Sequence, residues 1–391
     1  MIDASRIERT LRQAIDSGAV PGVVAVAADA NGVLYEGAFG RRNLAGDTAM
    51  SLDTVFWIAS MTKAITSVAA MQLVEQRFLS LDAPIGELLP GLAAPQILEG
   101  FDADGRPRLR PATRPITLRH LLTHIAGFSY NNWNPDIGRY MEATGLPAPG
   151  TGERSALDAP LIFEPGERWE YGINTDWVGQ AVEAASGQSL DAYFREHILA
   201  PLGMADTAFL LTPEQRSRLA TVHQRQPDGS LAPIAFELPR APEFFGGGGG
   251  LHSTARDYLT FTRMLLNGGR LGDARLLRPE TVSLMAQNHI GELTVPKMRS
   301  AVPERSNDAE FFPGMVKKSG LGFLINTEDA PTGRCAGSLT WAGLGNTYYW
   351  IDPRRRVTGV ILTQILPFCD AAAIRLYADF ERALYDALKA G

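Results

Sequence analysis

The chain contains little cysteine and has no long apolar run. Cys335 and Cys369 are its two cysteines, and two thiols in 391 residues do not make a disulfide framework, so we expect both to be reduced. No stretch of about 18 uncharged apolar residues is present, which argues against a membrane span. The first residues lack the apolar segment of a secretory signal, so we expect a cytoplasmic location.

Several catalytic motifs are also missing. The chain has no G-x-S-x-G segment, the nucleophile elbow of α/β-hydrolases, and no G-x-x-x-x-G-K-[ST] phosphate loop. His120 and His124 are four residues apart, but Leu121 stands where an H-E-x-x-H metalloprotease has glutamate. We therefore expect hydrogen-bonded helix histidines, no metal site and no cofactor.

The charge balance bears on possible partners. With 37 basic and 43 acidic residues, the net charge of −6 offers no electrostatic footprint for nucleic acid. The one compact basic run, Arg354-Arg355-Arg356, lies between two strand-like segments, and we interpret it as an exposed turn. A small molecule is the expected partner.

One of the five lysines has an informative context. Ser60-Met61-Thr62-Lys63 follows the apolar segment 55–59. If a helix begins near Ser60, positions i and i+3 share one face, so the Lys63 amine can reach the Ser60 hydroxyl. A lysine withdrawn from water loses its proton more readily and can activate a serine. The alternative is a solvated first turn with a capping serine and a surface lysine.

Both ends of the chain carry hairpin and helix patterns, whereas the middle is richer in helices and loops. The predicted hairpins pair residues 23–28 with 33–37 and 347–351 with 357–362; the predicted helices include the first 18 residues, 118–125, 177–185, a helix capped by Thr254 and a C-terminal helix bearing Tyr377, Phe380, Leu384 and Leu388. This order fits an α/β domain formed by both termini (1–85 and 315–391), with a mostly helical region inserted over 86–314.

Five blocks, at residues 56–66, 116–124, 164–171, 249–257 and 341–343, resemble the serine β-lactamase and penicillin-binding-protein superfamily. The similarity is greatest to class C β-lactamases and the related family VIII carboxylesterases. It implies a β-lactamase-like α/β (α+β) fold, in which terminal helices flank an antiparallel sheet and a helical region is inserted. It also implies that the glycine run 246–250 lies near the cleft, although glycine runs are usually flexible turns.

The resemblance also implies a second proton carrier. The superfamily uses a Tyr-x-Asn motif, and Tyr171 matches its tyrosine. Ser60 would then attack the acyl carbon, Lys63 would take or share its proton, and Tyr171 would protonate the leaving group. The asparagine arrives one position late, at Asn174, where it either contacts substrate through a shifted turn or caps the next helix. This departure weakens the case for lactam cleavage more than for ester cleavage.

The third motif is Lys-Thr-Gly in β-lactamases, and Trp341-Ala342-Gly343 is the block that matches it. We interpret Lys318-Ser319-Gly320 as a coincidental match, because it precedes the segment resembling the strand before the motif strand. The resemblance assigns Trp341 and Gly343 to substrate binding, and the alternative is a tryptophan simply packed on a strand. An indole in place of an ammonium favours uncharged acyl esters over penicillin-like acids. The implied oxyanion donors are the backbone N–H groups of Ser60 and Leu344.

These features predict a cofactor-free serine carboxylesterase that forms an acyl-enzyme on Ser60 from a small-molecule ester. A β-lactamase, a D-amino-acid peptidase and an acyltransferase of the same superfamily share the covalent step and remain alternatives. A non-catalytic ligand-binding protein on the same fold is the alternative of another class. The presence of Ser60, Lys63 and Tyr171 counts against that last reading.

Overall fold

The computed structural model describes residues 3–390, so residues 1, 2 and 391 of the predicted terminal domain lie outside the described part. Amphipathic segments at both ends form long helices whose apolar faces are buried, including Ile7 and Leu11 near the start. The α-helices are α1 (Ser5–Asp16), α2 (Thr62–Glu75), α3 (Leu118–Leu122), α4 (Pro135–Thr144), α5 (Asn174–Ser186), α6 (Leu190–Phe194), α7 (Ala200–Leu202), α8 (Pro213–Ser217), α9 (Ala255–Leu266), α10 (Pro279–Met285) and α11 (Ala371–Ala390).

Strands from both ends of the chain meet in one seven-stranded antiparallel sheet of order β11-β12-β13-β14-β15-β1-β2. The strands are β1 (Gly22–Asp29), β2 (Val33–Gly40), β3 (Phe56–Trp57), β4 (Gln96–Phe101), β5 (Pro107–Pro111), β6 (His223–Arg225), β7 (Leu231–Pro233), β8 (His252–Ser253), β9 (Arg270–Leu271), β10 (Ala274–Arg275), β11 (Lys317–Ser319), β12 (Leu324–Asn326), β13 (Leu339–Gly343), β14 (Thr347–Asp352), β15 (Val357–Leu362) and β16 (Ile365–Leu366).

Helices cover both faces of this sheet, which explains why its central strands are apolar throughout. Successive side chains of a strand point to opposite faces. On β14, the Tyr349 ring lies 5.1 Å from Tyr258 of α9, whereas the Trp350 ring lies 5.7 Å from Phe380 of α11. Helix α1 packs against α11. The predicted α/β fold with an antiparallel sheet and flanking terminal helices is therefore confirmed.

Both predicted hairpins of the main sheet are present, as β1–β2 and β14–β15. Helix α9 begins after Thr254, whose hydroxyl accepts the Asp257 N–H as a cap. Helix α3 ends at Leu122, earlier than the predicted residue 125, because His124 adopts a left-handed backbone with φ of 60°.

The inserted region also contains strands that the helical interpretation did not anticipate. Strands β4 and β5 form a hairpin. The turn is held by the Asp102 carboxylate, which accepts the N–H groups of Asp104 and Arg106. The limits proposed for the inserted region stay a prediction. None of the described helices combines the length and apolar character needed to cross a membrane.

The segment before Ser60 is held between two elements that are distant in sequence. Strand β3 pairs with β8, and the Ile58 N–H donates to the Leu251 carbonyl. On the other side, β13 approaches so closely that a Cβ at Gly343 would lie 2.3 Å from the Ile58 carbonyl oxygen. Glycine at this position therefore allows the end of β13 to lie directly against the start of the nucleophile segment.

Candidate active site

Ser60 lies where a short 3₁₀ turn, Ala59–Met61, leads into α2. Ala59 has φ of 44°, a left-handed conformation that is uncommon for a residue with a side chain. Such strain often accompanies functional positions, where the surrounding structure holds the backbone in place. The Ser60 side chain is partly exposed and lines a cleft.

Lys63 is buried, with 3% of its surface exposed, and its amine points toward Ser60. The Nζ atom lies 3.3 Å from Ser60 Oγ, 3.2 Å from the Tyr130 hydroxyl and 2.6 Å from the Gly248 carbonyl oxygen. An ammonium has three N–H donors, so these acceptors can satisfy all of them. The i, i+3 spacing therefore brings the hydroxyl and amine together as the sequence predicts, and the surface-lysine alternative is wrong.

Tyr171 stands beside the same amine. Its ring centre lies 4.8 Å from Lys63 Nζ, and the Tyr171 side chain is buried apart from an edge on the cleft. The Trp341 indole N–H donates to the Tyr171 hydroxyl over 3.0 Å. The structure thus brings Ser60, Lys63 and Tyr171 together and adds Trp341 as the hydrogen-bond partner of the tyrosine.

The predicted oxyanion donors face the same space. Ser60 and Leu344 both line the cleft. Within residues 3–390, the Leu344 N–H makes no hydrogen bond, so it can be donated to a substrate oxygen. This geometry is compatible with the predicted oxyanion role.

The cleft above Ser60 contains about 1210 Å³ of open space and is mainly aromatic and aliphatic. Phe209 and Phe245 form one part of the lining, with their ring centres 5.0 Å apart. Another group surrounds Trp133, whose ring lies 6.5 Å from Phe368. The other large apolar lining side chains are Trp57, Leu210, Leu238, Phe244, Met298 and Trp341. Such a lining suits an apolar ligand.

The family model for β-lactamase matches residues 7–383. The chain belongs to the β-lactamase family. Monacolin J acid methylbutanoyltransferase from Aspergillus terreus is 36% identical over 396 residues, covering 97% of this chain and 95% of that protein. Lovastatin esterase from Penicillium rubens is 34% identical over 400 residues, covering 97% and 98%.

Solved structures agree with this assignment. Unliganded simvastatin synthase (LovD) from Aspergillus terreus, as its selenomethionyl derivative, matches with a TM-score of 0.87 and 34% identity over 100% of both chains. EstCE1, a hydrolase with promiscuous acyltransferase activity, matches with a TM-score of 0.77 and 26% identity over 98% of both chains. The predicted membership of the serine β-lactamase superfamily is confirmed.

Tyr130 also contacts the Lys63 amine, and the sequence interpretation missed it. Its hydroxyl contacts Lys63 Nζ, and its ring centre lies 5.3 Å from that of Tyr171. Burial, then the nearby Asp176 and Tyr171, raise the pKa of Tyr130 well above its ordinary value. Tyr130-Asn131-Asn132 has Tyr-x-Asn spacing, a signal in the sequence that could have identified it.

Asp176, in the first turn of α5, was also missed. Its carboxylate is buried; Oδ1 accepts the Gly248 N–H over 2.8 Å, and Oδ2 lies 3.5 Å from the Tyr130 hydroxyl oxygen. Burial raises the pKa of Asp176, although the positive charge of Lys63 opposes this effect. An aspartate in a first helical turn is ordinarily explained by the helix dipole, so its spacing carried no signal of a site.

Two residues predicted to bind substrate lie outside the cleft lining. Asn174 is fully buried; its amide pairs with Nδ1 of His124 over 3.0 Å and does not cap α5. Gly343 faces Ile58, as described above, and neighbours rather than lines the cleft. In the structure Asn174 supports the wall behind Tyr171, and Gly343 supports the nucleophile segment. Their contact with substrate stays a prediction.

The other motifs of the sequence have structural roles. Lys318 Nζ donates to the carbonyls of Gly291 and Leu293 and does not reach Ser60, as expected of a coincidental match. His120 belongs to a capping box with Thr117, as a hydrogen-bonded helix histidine. The described residues contain no cluster of three or more histidine, cysteine or acidic side chains suited to a metal. Both cysteines are buried and unpaired in this part of the chain.

Proposed function

We propose that the protein is a serine acyl-transfer enzyme that cleaves carboxylic esters through an acyl-enzyme on Ser60. The observation that carries this proposal is the placement of Ser60 Oγ 3.3 Å from a buried lysine amine at the base of an apolar cleft. A buried amine beside a hydroxyl is a means of activating a serine nucleophile. The acyltransferase and esterase names of the relatives support the same chemistry.

The steps follow from the positions of the side chains. Ser60 Oγ attacks the acyl carbon while its proton passes to Lys63. The N–H groups of Ser60 and Leu344 stabilise the oxyanion; one such donor contributes about 3–4 kcal/mol in the transition state. Tyr171, beside the amine, returns a proton to the leaving alkoxide and then assists the group that attacks the acyl-enzyme.

The cleft favours uncharged, apolar acyl groups. Trp341 occupies the position where β-lactamases carry a lysine, and Lys318 is engaged by carbonyls elsewhere. A bound substrate would therefore contact an indole and aromatic rings, and it would not find the ammonium that binds the carboxylate of a penicillin. This arrangement supports ester cleavage over lactam cleavage.

Acyl transfer to an alcohol is the second candidate for the deacylation step. Two relatives are named methylbutanoyltransferases of acids or carboxylates. Arg305, an exposed residue, lines the cleft. An acceptor that bears a carboxylate would find a cation there, so we expect acids with a hydroxyl group to be better acceptors than neutral alcohols of similar size.

Covalent labelling tests the proposal. The protein is treated with a fluorophosphonate or an activated butanoyl ester and analysed by peptide mass spectrometry. We expect one adduct, on Ser60, that is lost in Ser60→Ala and retained in the control Ser155→Ala, an exposed serine. Absence of any Ser60 adduct would favour the non-catalytic binding protein.

A substrate panel then separates the reactions. Nitrophenyl esters of short and long acids, a chromogenic cephalosporin and a D-amino-acid amide are compared, with and without added hydroxy acid. We expect the esters to be cleaved fastest and the hydroxy acid to yield acylated product. Faster turnover of the cephalosporin would overturn the substrate assignment, and products of hydrolysis alone would exclude the transfer reaction.

A further inference from the structure

Lys63 lacks a directly paired carboxylate although it is buried. Among residues 3–390, no carboxylate oxygen lies within 4.0 Å of its Nζ atom. A buried ammonium without a nearby negative charge is unfavourable, so the charge on Lys63 needs compensation from a greater distance. An amine that is to accept the Ser60 proton must also first be neutral.

Asp176 is connected to Lys63 by two routes. Through the backbone, its Oδ1 holds the Gly248 N–H while the carbonyl of the same glycine accepts from Lys63. Through a side chain, its Oδ2 lies 3.5 Å from the Tyr130 hydroxyl, which lies 3.2 Å from Lys63 Nζ. Such bonds are often long in unliganded sites and tighten when substrate binds. One hydroxyl thus separates the buried acid from the buried amine.

We propose that Asp176 takes up a proton from Lys63 through the Tyr130 hydroxyl, which leaves Lys63 as the neutral amine that activates Ser60. In this step an N–H bond of Lys63 breaks and an O–H bond forms on Tyr130. The original O–H bond of Tyr130 breaks and an O–H bond forms on Asp176 Oδ2. The total number of protons and the net charge of the site are unchanged.

Burial favours this transfer. The proton transfer converts two buried charges into two neutral groups, and burial penalises the charged form of each group. The carboxyl of Asp176 is only 5% exposed, and burial is the main cause that raises its pKa. Asp176 acts through Tyr130 and is therefore a positioning and proton-holding residue, since it does not touch the reacting atoms.

The other titratable groups that face this pair are Tyr171 and His124. Tyr171 stands over the Lys63 amine, and the His124 ring centre lies 4.9 Å from that of Tyr171. Burial is the main cause that holds the pKa of His124 well below its ordinary value, so this ring stays neutral near pH 7. Tyr130 is neutral before and after the transfer, because its own pKa is raised.

An internal transfer has a measurable consequence. Because the proton moves from Lys63 to Asp176 without leaving the protein, the fraction of neutral amine does not depend on bulk pH while the pair shares one proton. The rate of Ser60 acylation should then vary by less than about twofold between pH 6 and 8. A lysine that must release its proton to water would give a rate rising about tenfold per pH unit.

The test measures acylation of the full-length protein by a neutral nitrophenyl ester in stopped-flow experiments from pH 6 to 8. It compares wild type with Asp176→Asn, Tyr130→Phe and Asp176→Glu. We expect a flat profile for wild type, a rising profile for Asp176→Asn and a return toward a flat profile for Asp176→Glu. Tyr130→Phe removes the route but keeps the two groups that share the proton, so its profile should stay flat while its rate falls. The matched control is Asp257→Asn, which alters a half-buried aspartate that accepts from Thr207 and has no contact with Lys63. Its profile should keep the wild-type shape.

The outcomes are distinct. A profile of Asp176→Asn that runs parallel to wild type, with only a uniform loss, would assign Asp176 a purely structural role and overturn the inference. An unchanged rate in Tyr130→Phe would overturn the route through its hydroxyl. A rising profile in wild type would overturn it as well. If Asp176→Asn fails to fold, as judged by thermal unfolding, the slope of the wild-type profile decides. The inference rests on the proposed function, but failure of wild type to form a Ser60 adduct would refute that function separately.

Discussion

The hydrogen bond from Trp341 to Tyr171 can be tested by replacing the tryptophan with phenylalanine. The indole N–H donates to the hydroxyl over 3.0 Å, and the two ring centres lie 4.8 Å apart. Trp341→Phe removes the donor but leaves an apolar ring in the cleft wall. We expect kcat to fall while KM for a neutral ester changes by less than about twofold, because the lost bond acts on Tyr171 and not on bound substrate.

The size of the effect follows from the type of bond. Tyr171 carries developing negative charge as it gives its proton to the leaving group, and a hydrogen bond to a charged group contributes about 1.5–3 kcal/mol. Since about 1.4 kcal/mol corresponds to a tenfold change in rate, we expect kcat to fall by about 10- to 150-fold. A loss of cleft packing alone would act mainly on KM.

Steady-state hydrolysis of nitrophenyl butanoate measures both constants. Trp133→Phe is the matched control, because Trp133 lines the same cleft but packs against Phe368 without bonding to Tyr171; its effect should appear in KM. In a Tyr171→Phe background, Trp341→Phe should cause little further loss of kcat. Wild-type kcat in Trp341→Phe, or an equal loss in both backgrounds, would refute the assigned role.

Three further predictions follow from other contacts. Gly343→Ala should destabilise the fold by about 1–3 kcal/mol in urea unfolding, because its Cβ would lie 2.3 Å from the Ile58 carbonyl oxygen, whereas Gly46→Ala, with open space around it, should not. Burial lowers the pKa of His252 to about 4, so the unfolded chain binds a proton below about pH 6.5 that the folded chain does not. The free energy of unfolding should therefore fall by about 3 kcal/mol from pH 7 to pH 4 because of His252. This contribution should be absent in His252→Gln. Arg305→Gln should raise KM about two- to fivefold for hydroxy-acid acceptors and leave neutral ester hydrolysis unchanged; an equal effect on both would contradict a carboxylate contact.

Local signals predicted four of the seven strands of the main sheet. Alternating or continuous apolar runs separated by turn residues identified β1–β2 and β14–β15, because turn chemistry and hydrophobic patterning act over a few residues. The hairpin of β4 and β5 was missed because β5 has two prolines and two arginines around a single leucine and so shows no strand pattern. Helix α3 was predicted too long because a left-handed His124 carries no reliable signal in sequence.

The site was predicted in part. Ser60 and Lys63 lie one helical turn apart, so their proximity is a local property, and Tyr171 and Trp341 were identified through resemblance to a family. Tyr130 was missed although its tripeptide has the motif spacing. The structure shows different contacts for the two tyrosines: the Tyr130 hydroxyl contacts Lys63 Nζ, whereas the Tyr171 hydroxyl accepts from Trp341.

The amino-acid sequence by itself determined the superfamily and the hydroxyl–amine pair at the start of α2. These depend on short-range spacing and on residue type. Only the tertiary structure decided that Asp176 lies one hydroxyl away from Lys63 and that Asn174 faces His124 instead of the cleft. Contacts between residues so far apart in the chain are set by how helices and loops pack, and pairwise proximity of that kind leaves no periodic pattern in a single sequence.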